Sequence, residues 1–192
     1  VFAEPDTEVD KHNLITKVSR RKNTYGAWPN YFYALGELFE AEEAKFYAIA
    51  QDDIVLCKET YRYIQNLSFP DDLGCFSLFC PKMYSGTKTW TRVGAGSQLW
   101  MAQLLIYPRH VINSIITNSS VWRFEGNAGI DNRIGAWAQE NKKGVYFHSP
   151  SLVEHVGKTS TLWPKAKLEG ERAAHNFVGE DFDALKLIHP LA

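Results

Sequence analysis

Phe46-Tyr47-Ala48-Ile49-Ala50-Gln51-Asp52-Asp53-Ile54 is the stretch on which the interpretation of this chain turns. Five apolar residues stop abruptly at a pair of carboxylates. A short apolar run of this kind is what a strand buried on both faces presents in a parallel sheet. In open α/β sheets ligands gather at the carboxyl ends of strands, and Asp52 and Asp53 fall at such an end. Two adjacent carboxylates repel each other unless a cation lies between or beside them. A hard divalent ion such as Mg²⁺ or Mn²⁺ suits oxygen ligands and also binds phosphate oxygens. Taken alone, the pair is served equally well by a surface turn in which either aspartate caps a helix beginning near Lys58.

Working outward, Val1-Phe2-Ala3 reads as a short strand closed by Glu4-Pro5, and as the middle of a strand whose earlier part is absent. Residues 6–29 are polar and broken by Gly26 and Pro29, so they read as loop. Asn30 caps a helix to about Ala44, with Tyr31, Ala34, Leu35 and Leu38 on one face, and a second helix covers Lys58 to Leu67. Cys75 to Cys80 and Trp100 to Tyr107 are strand candidates, followed by a helix over His110 to Ile116. Asp131 begins a helix through about Glu140 that Gly144 terminates. Val145 to Phe147 and Leu152 to Val153 are short extended pieces. The alternation predicts one α/β domain over residues 1–192, a sandwich with a mixed, mainly parallel sheet. The charged tail 165–192 is expected to be peripheral, as a helix lying on the body.

The bulk composition narrows the function. With 192 residues, 45% hydrophobic and 22% charged, the chain has the make-up of a folded domain rather than a disordered one. A formal net charge of −1 gives no broad attraction to nucleic acid. The basic run Lys17 to Lys22 reads as a solvated loop. Cys57, Cys75 and Cys80 form no zinc-type spacing, and Cys75 and Cys80, which bracket an apolar run, read as small core residues. No apolar stretch reaches the length of a membrane span, which leaves peripheral membrane association open.

Downstream, Pro150-Ser151-Leu152-Val153-Glu154-His155-Val156-Gly157 sets a histidine beside a glycine after a short strand. A lone histidine here reads first as one hydrogen-bonded in a loop; neutral imidazole also suits a site whose other ligands are carboxylate and diphosphate oxygens. His12, His110, His148, His175 and His189 read as histidines hydrogen-bonded in loops.

Gln51-Asp52-Asp53-Ile54 after its apolar strand resembles the Asp-x-Asp-type motif of GT-A glycosyltransferases, in the Glu/Gln-Asp-Asp form. The run Pro150 to Gly157, with Ser160 beyond, resembles the Pro-x-Leu-Val-x-His-x-Gly-x-x-Ser ending of several such enzymes. Gln103-Leu104-Leu105-Ile106-Tyr107-Pro108-Arg109 resembles the strand and helix start that frame their acceptor side. The likeness spans roughly Val1 to Ser160, and the His-Gly ending is its most specific part.

The resemblance implies a GT-A, Rossmann-like three-layer sandwich, here without its first strand. It implies transfer of a sugar from a nucleotide-sugar, a UDP-sugar by preference, to a saccharide or glycoconjugate acceptor with Mn²⁺ or Mg²⁺. Such work belongs to polysaccharide biosynthesis, in a bacterial cytoplasm or, for a eukaryotic source, the Golgi lumen. Asp53, supported by Asp52, and His155 would hold the metal, and Lys158 would add positive charge at the leaving diphosphate. Asp131 would be the general base at a helix start, with Glu125 in reserve, because the family's usual acid pair is Asp131-Asn132 here. Glu4 and Asp6 would contact base or ribose. Trp90, Trp100 and Trp122 are candidate sugar-stacking surfaces. Val93-Gly94-Ala95-Gly96-Ser97-Gln98 reads as a tight turn rather than a phosphate loop, since it precedes a strand. The rivals are a nucleotidyltransferase of related fold and an inactive carbohydrate- or nucleotide-binding domain.

Overall fold

A computed structural model describes residues 2–3, 5, 17–41, 44–86, 89–93, 99–122, 129–157 and 172–188. Strands β1 (Phe2–Ala3) and β2 (Ser19–Arg20) pair in parallel, apart from the main sheet. Helix α1 (Ala27–Ala41) is followed by β3 (Phe46–Ala50), β4 (Ile54–Leu56), α2 (Thr60–Gln65) and β5 (Leu73–Ser77). Then come β6 (Trp90–Val93), β7 (Leu104–Pro108), α3 (Arg109–Thr117), α4 (Ile130–Glu140), β8 (Gly144–His148) and β9 (Val153–His155).

The main sheet has five strands in the order β3-β7-β5-β8-β6, while β4 and β9 form a separate two-stranded ribbon. The sheet is mixed, but the expectation that it is mainly parallel is corrected. Only β5 and β8 run parallel; the β3–β7, β5–β7 and β6–β8 ladders are antiparallel. The decisive stretch is also not a buried parallel strand: β3 lies at the sheet's edge, antiparallel to β7, with Ala48 and Ala50 exposed. A compact apolar run looks the same at an edge as at a centre, because periodicity carries no information about neighbours.

The central strands β5, β7 and β8 are buried at every position, as strands covered on both faces must be. Side chains alternate between two cores. Leu105 and Tyr107 of β7 and Val145 and Phe147 of β8 pack beneath α1, α3 and α4. Leu104, Ile106 and Tyr146 face the other way, onto Tyr63 of α2 and Val153 of β9. That second core is completed by residues 172–188, where Phe177, Val178, Phe182 and the buried Ala184 close over it. This segment carries a 3₁₀ turn at Ala184–Leu187.

Local sequence explains the helix ends. Helix α1 begins three residues before the expected Asn30 cap. Pro29 fits the first helical turn, where the missing N–H has no intrahelical acceptor, and Gly26 supplies the left-handed residue before it at φ 82°. Asn30 instead holds Nε of Arg21 at 2.8 Å. After α4 it is Lys142, at φ 56°, that makes the left-handed turn expected of Gly144. Gly144 is needed for contact instead, since a Cβ there would collide with the ring of Tyr146.

All three cysteines are buried thiols, and burial raises their pKa to about 11 for Cys57 and Cys80 and about 12 for Cys75. No described helix is long and apolar enough to cross a membrane.

Candidate functional site

The β4–β9 ribbon assembles the acidic pair with the histidine. Its register sets Ile54 opposite His155, Val55 opposite Glu154 and Leu56 opposite Val153. One step further, Val156 N–H donates to the Asp53 carbonyl at 2.9 Å. Pairing therefore brings the Asp53 carboxylate alongside the His155 ring, and Oδ2 lies 2.9 Å from Nε2. The His155 side chain is 3% exposed and that of Asp53 36%. Oδ1 of Asp53 is nevertheless buried and has no hydrogen-bond partner. A buried carboxylate oxygen without a partner is costly.

Gly157 closes the third side. A Cβ at this position would collide with Asp53 Oδ2 and stand 2.9 Å from His155 Nε2. The chain can pass this close only because residue 157 has no side chain. An oxygen and an imidazole nitrogen facing each other, a spare carboxylate oxygen and a glycine-lined gap fit a divalent cation. Asp53 and His155 would hold it. Among the described residues no third His, Cys, Asp or Glu joins them, so oxygens of a bound ligand or water would complete the coordination. Asp52 is exposed next to Asp53.

The second half of the site enters through residues 99–103. Gln51 N–H, just before the acidic pair, donates to the Gln103 carbonyl at 2.8 Å. Two residues earlier, Met101 N–H donates to Oδ2 of Asp131 at 3.1 Å, with Met101 at φ 66°. Oδ1 of Asp131 accepts from Asn132 N–H at 2.9 Å. Asp131 is thus not the N-cap of α4, a position held by Gly129; its carboxylate reaches out to the neighbouring loop. The same loop is pressed onto α4 at Gly135, where a Cβ would meet Leu99 N at 2.9 Å. Two residues span at most about 7 Å of chain, so the loop carries Asp131 to the same sheet end as Asp53. Gln103, just before β7, is 4% exposed, with Oε1 lacking a partner.

The three tryptophans separate. Trp100 lies in this loop and is 43% exposed. Trp90 belongs to edge strand β6 and packs edge-on against Tyr146. Trp122 packs against Phe32, and its indole N–H donates to the Ile116 carbonyl. Of the three, Trp100 directly precedes Met101, whose N–H donates to Asp131.

His148 is a core residue rather than a loop one. Its Nδ1–H donates to the Pro150 carbonyl at 2.6 Å, and Nε2 accepts from the Tyr63 hydroxyl at 2.7 Å. Burial lowers its pKa to about 4, outweighing the Pro150 carbonyl, which favours the charged ring.

Glu4, Asp6, Glu125, Lys158 and the loop Gly94 to Gln98 lie outside the described residues. Sequence reasoning missed the ribbon itself, although Ile54-Val55-Leu56 is β-branched enough to signal a strand. It also missed Glu154, whose Oε1 accepts from both His155 N–H and Ala174 N–H at 2.8 Å. Comparison with protein-family models and with curated protein sequences returns no match.

Proposed function

We propose that the protein is a metal-dependent glycosyltransferase of the GT-A type, moving a sugar from a nucleotide-sugar, by preference a UDP-sugar, to a saccharide or glycoconjugate acceptor. The observation that supports this most is the Asp53–His155 pair at 2.9 Å, with its spare carboxylate oxygen and its glycine gap. Bound there, Mn²⁺ or Mg²⁺ would neutralise charge on the departing nucleoside diphosphate as a Lewis acid.

The chain's own groups do the rest. Asp53 and His155 would hold the ion, and Asp52 adds a carboxylate on the solvent side. Asp131, fixed by two backbone N–H groups, keeps lone pairs free to take the acceptor hydroxyl's proton in an inverting displacement, help worth roughly 10²–10⁴-fold. Trp100 offers an apolar face for a sugar ring.

Calorimetric titration of UDP with and without Mn²⁺ tests the reading, followed by mass spectrometry of products from a donor panel and a saccharide library. Metal-dependent UDP binding that Asp53→Ala abolishes is the expected result. Unchanged UDP binding in Asp53→Ala, with no UDP-sugar consumed by the wild type, sinks it.

A further inference from the structure

We propose that Glu154 is a positioning residue that couples docking of residues 172–188 to metal occupancy of the Asp53–His155 pair, an inference that rests on the function proposed above. Glu154 sits on β9 directly before His155, and alternation along the strand sends its side chain to the opposite face. Its Oε1 accepts 2.8 Å hydrogen bonds from His155 N–H and from Ala174 N–H. A carboxylate oxygen has lone pairs for both donors, and bonds to a charged acceptor are about twice as strong as neutral ones. One oxygen thus ties the backbone of the metal-bearing histidine to the carboxyl-terminal segment.

The same segment grips the other strand of the ribbon. Lys58, two residues beyond β4, donates its N–H to Glu180 O at 3.0 Å, and its own carbonyl accepts from Ala184 N–H at 3.0 Å. Ala184 is fully buried, which anchors that grip. The Lys58–Asp181 ion pair is exposed, 64% and 89%, and adds little. The ribbon belongs to neither neighbouring sheet, so its hold on Asp53 Oδ2 and His155 Nε2 depends on what packs against it. By linkage, whatever docking contributes to metal affinity, metal binding returns to docking.

Hydrogen exchange by mass spectrometry and calorimetry test this on the whole chain, for wild type, Glu154→Ala and Glu154→Gln, with and without Mn²⁺ and UDP. In wild type, Mn²⁺ with UDP should slow exchange across 172–188, a result that needs no variant. Glu154→Ala should exchange faster there without metal, lose the metal-induced protection and bind Mn²⁺–UDP about tenfold more weakly. Glu154→Gln, whose amide oxygen accepts the same two bonds, should restore most of both. Unchanged metal affinity in Glu154→Ala, or identical protection of 172–188 with and without metal in wild type, overturns the coupling. Wild type that takes up no Mn²⁺ with UDP overturns the function itself. That outcome is told apart because metal-free exchange across 172–188 still quickens in Glu154→Ala.

Discussion

Asp53 and His155 stand 102 positions apart in the chain, yet Oδ2 of one and Nε2 of the other are separated by 2.9 Å. The antiparallel register of Ile54 with His155 is the cause. Asp53 lies just outside β4, across from Val156, so a slip in that ladder would shift the imidazole along the ribbon relative to the carboxylate. The chemistry proposed for the site is therefore as sensitive to backbone register as to the identity of the two residues.

Gly157→Ala follows directly. The added Cβ collides with a carboxylate end that can swing away, so the fold should tolerate it and thermal unfolding should shift little. Displacing Asp53 spoils the pairing with His155, and Mn²⁺-dependent UDP affinity should fall by roughly 10- to 100-fold. Parallel melting curves and calorimetry separate the two effects.

Asp131→Asn keeps an oxygen that can still accept one backbone N–H but cannot take a proton. Transfer rate should drop about 10²–10⁴-fold with little change in UDP affinity. Asp131→Ala also frees Met101 N–H and should cost about 1–3 kcal/mol of stability. Steady-state kinetics beside urea unfolding of both variants checks this.

Gly135→Ala reaches the site from behind. The new methyl would sit 2.9 Å from a backbone nitrogen, Leu99 N, and 3.3 Å from Leu99 Cβ, neither of which can rotate away. The loop must shift, at about 1–3 kcal/mol, carrying Trp100 and Met101 with it. Acceptor KM should rise while donor affinity holds; a donor KM that rises equally would place the loop elsewhere.

His148 sets an acid limit on stability. Above pH 6.5, its ordinary pKa, neither folded nor unfolded chain carries the proton. Between 6.5 and about 4 the unfolded chain binds a proton that the buried ring excludes. Stability should therefore fall with pH across that window, by about 3 kcal/mol from this group. Urea unfolding at a series of pH values measures the slope, which His148→Gln should flatten even if it is less stable throughout.

Much of this arrangement was legible in the residues, though unevenly. The helices after Pro108 and before Glu140 and the strand at Val145 to Phe147 carry strong local signals, and each lies within two residues of expectation. Strand direction does not, since Phe46 to Ala50 would look the same beside a parallel or an antiparallel neighbour. Asp53 and His155 were singled out by type and setting and Asp131 by the resemblance, and the structure brings the first two into contact. The partners that position them were invisible. Gln103, Glu154 and Leu99 act through long-range backbone contacts that no local spacing encodes. The tail 172–188 read as charged and weakly patterned because its apolar residues, Phe177, Val178 and Phe182, match neither a helical nor a strand period.

The buried cysteines make the molecule its own gauge of opening. A thiol reagent needs exposed thiolate, and burial denies it at all three positions. Each cysteine is also tied to a different part. Cys80 O receives His175 N–H from the carboxyl-terminal segment, Cys57 N–H bonds Leu152 O where the ribbon begins, and Cys75 lies within β5. Labelling rates at Cys80, Cys57 and Cys75 under native conditions would time the loosening of the segment, the ribbon and the sheet separately. They would give the order in which the protein comes apart without any added probe.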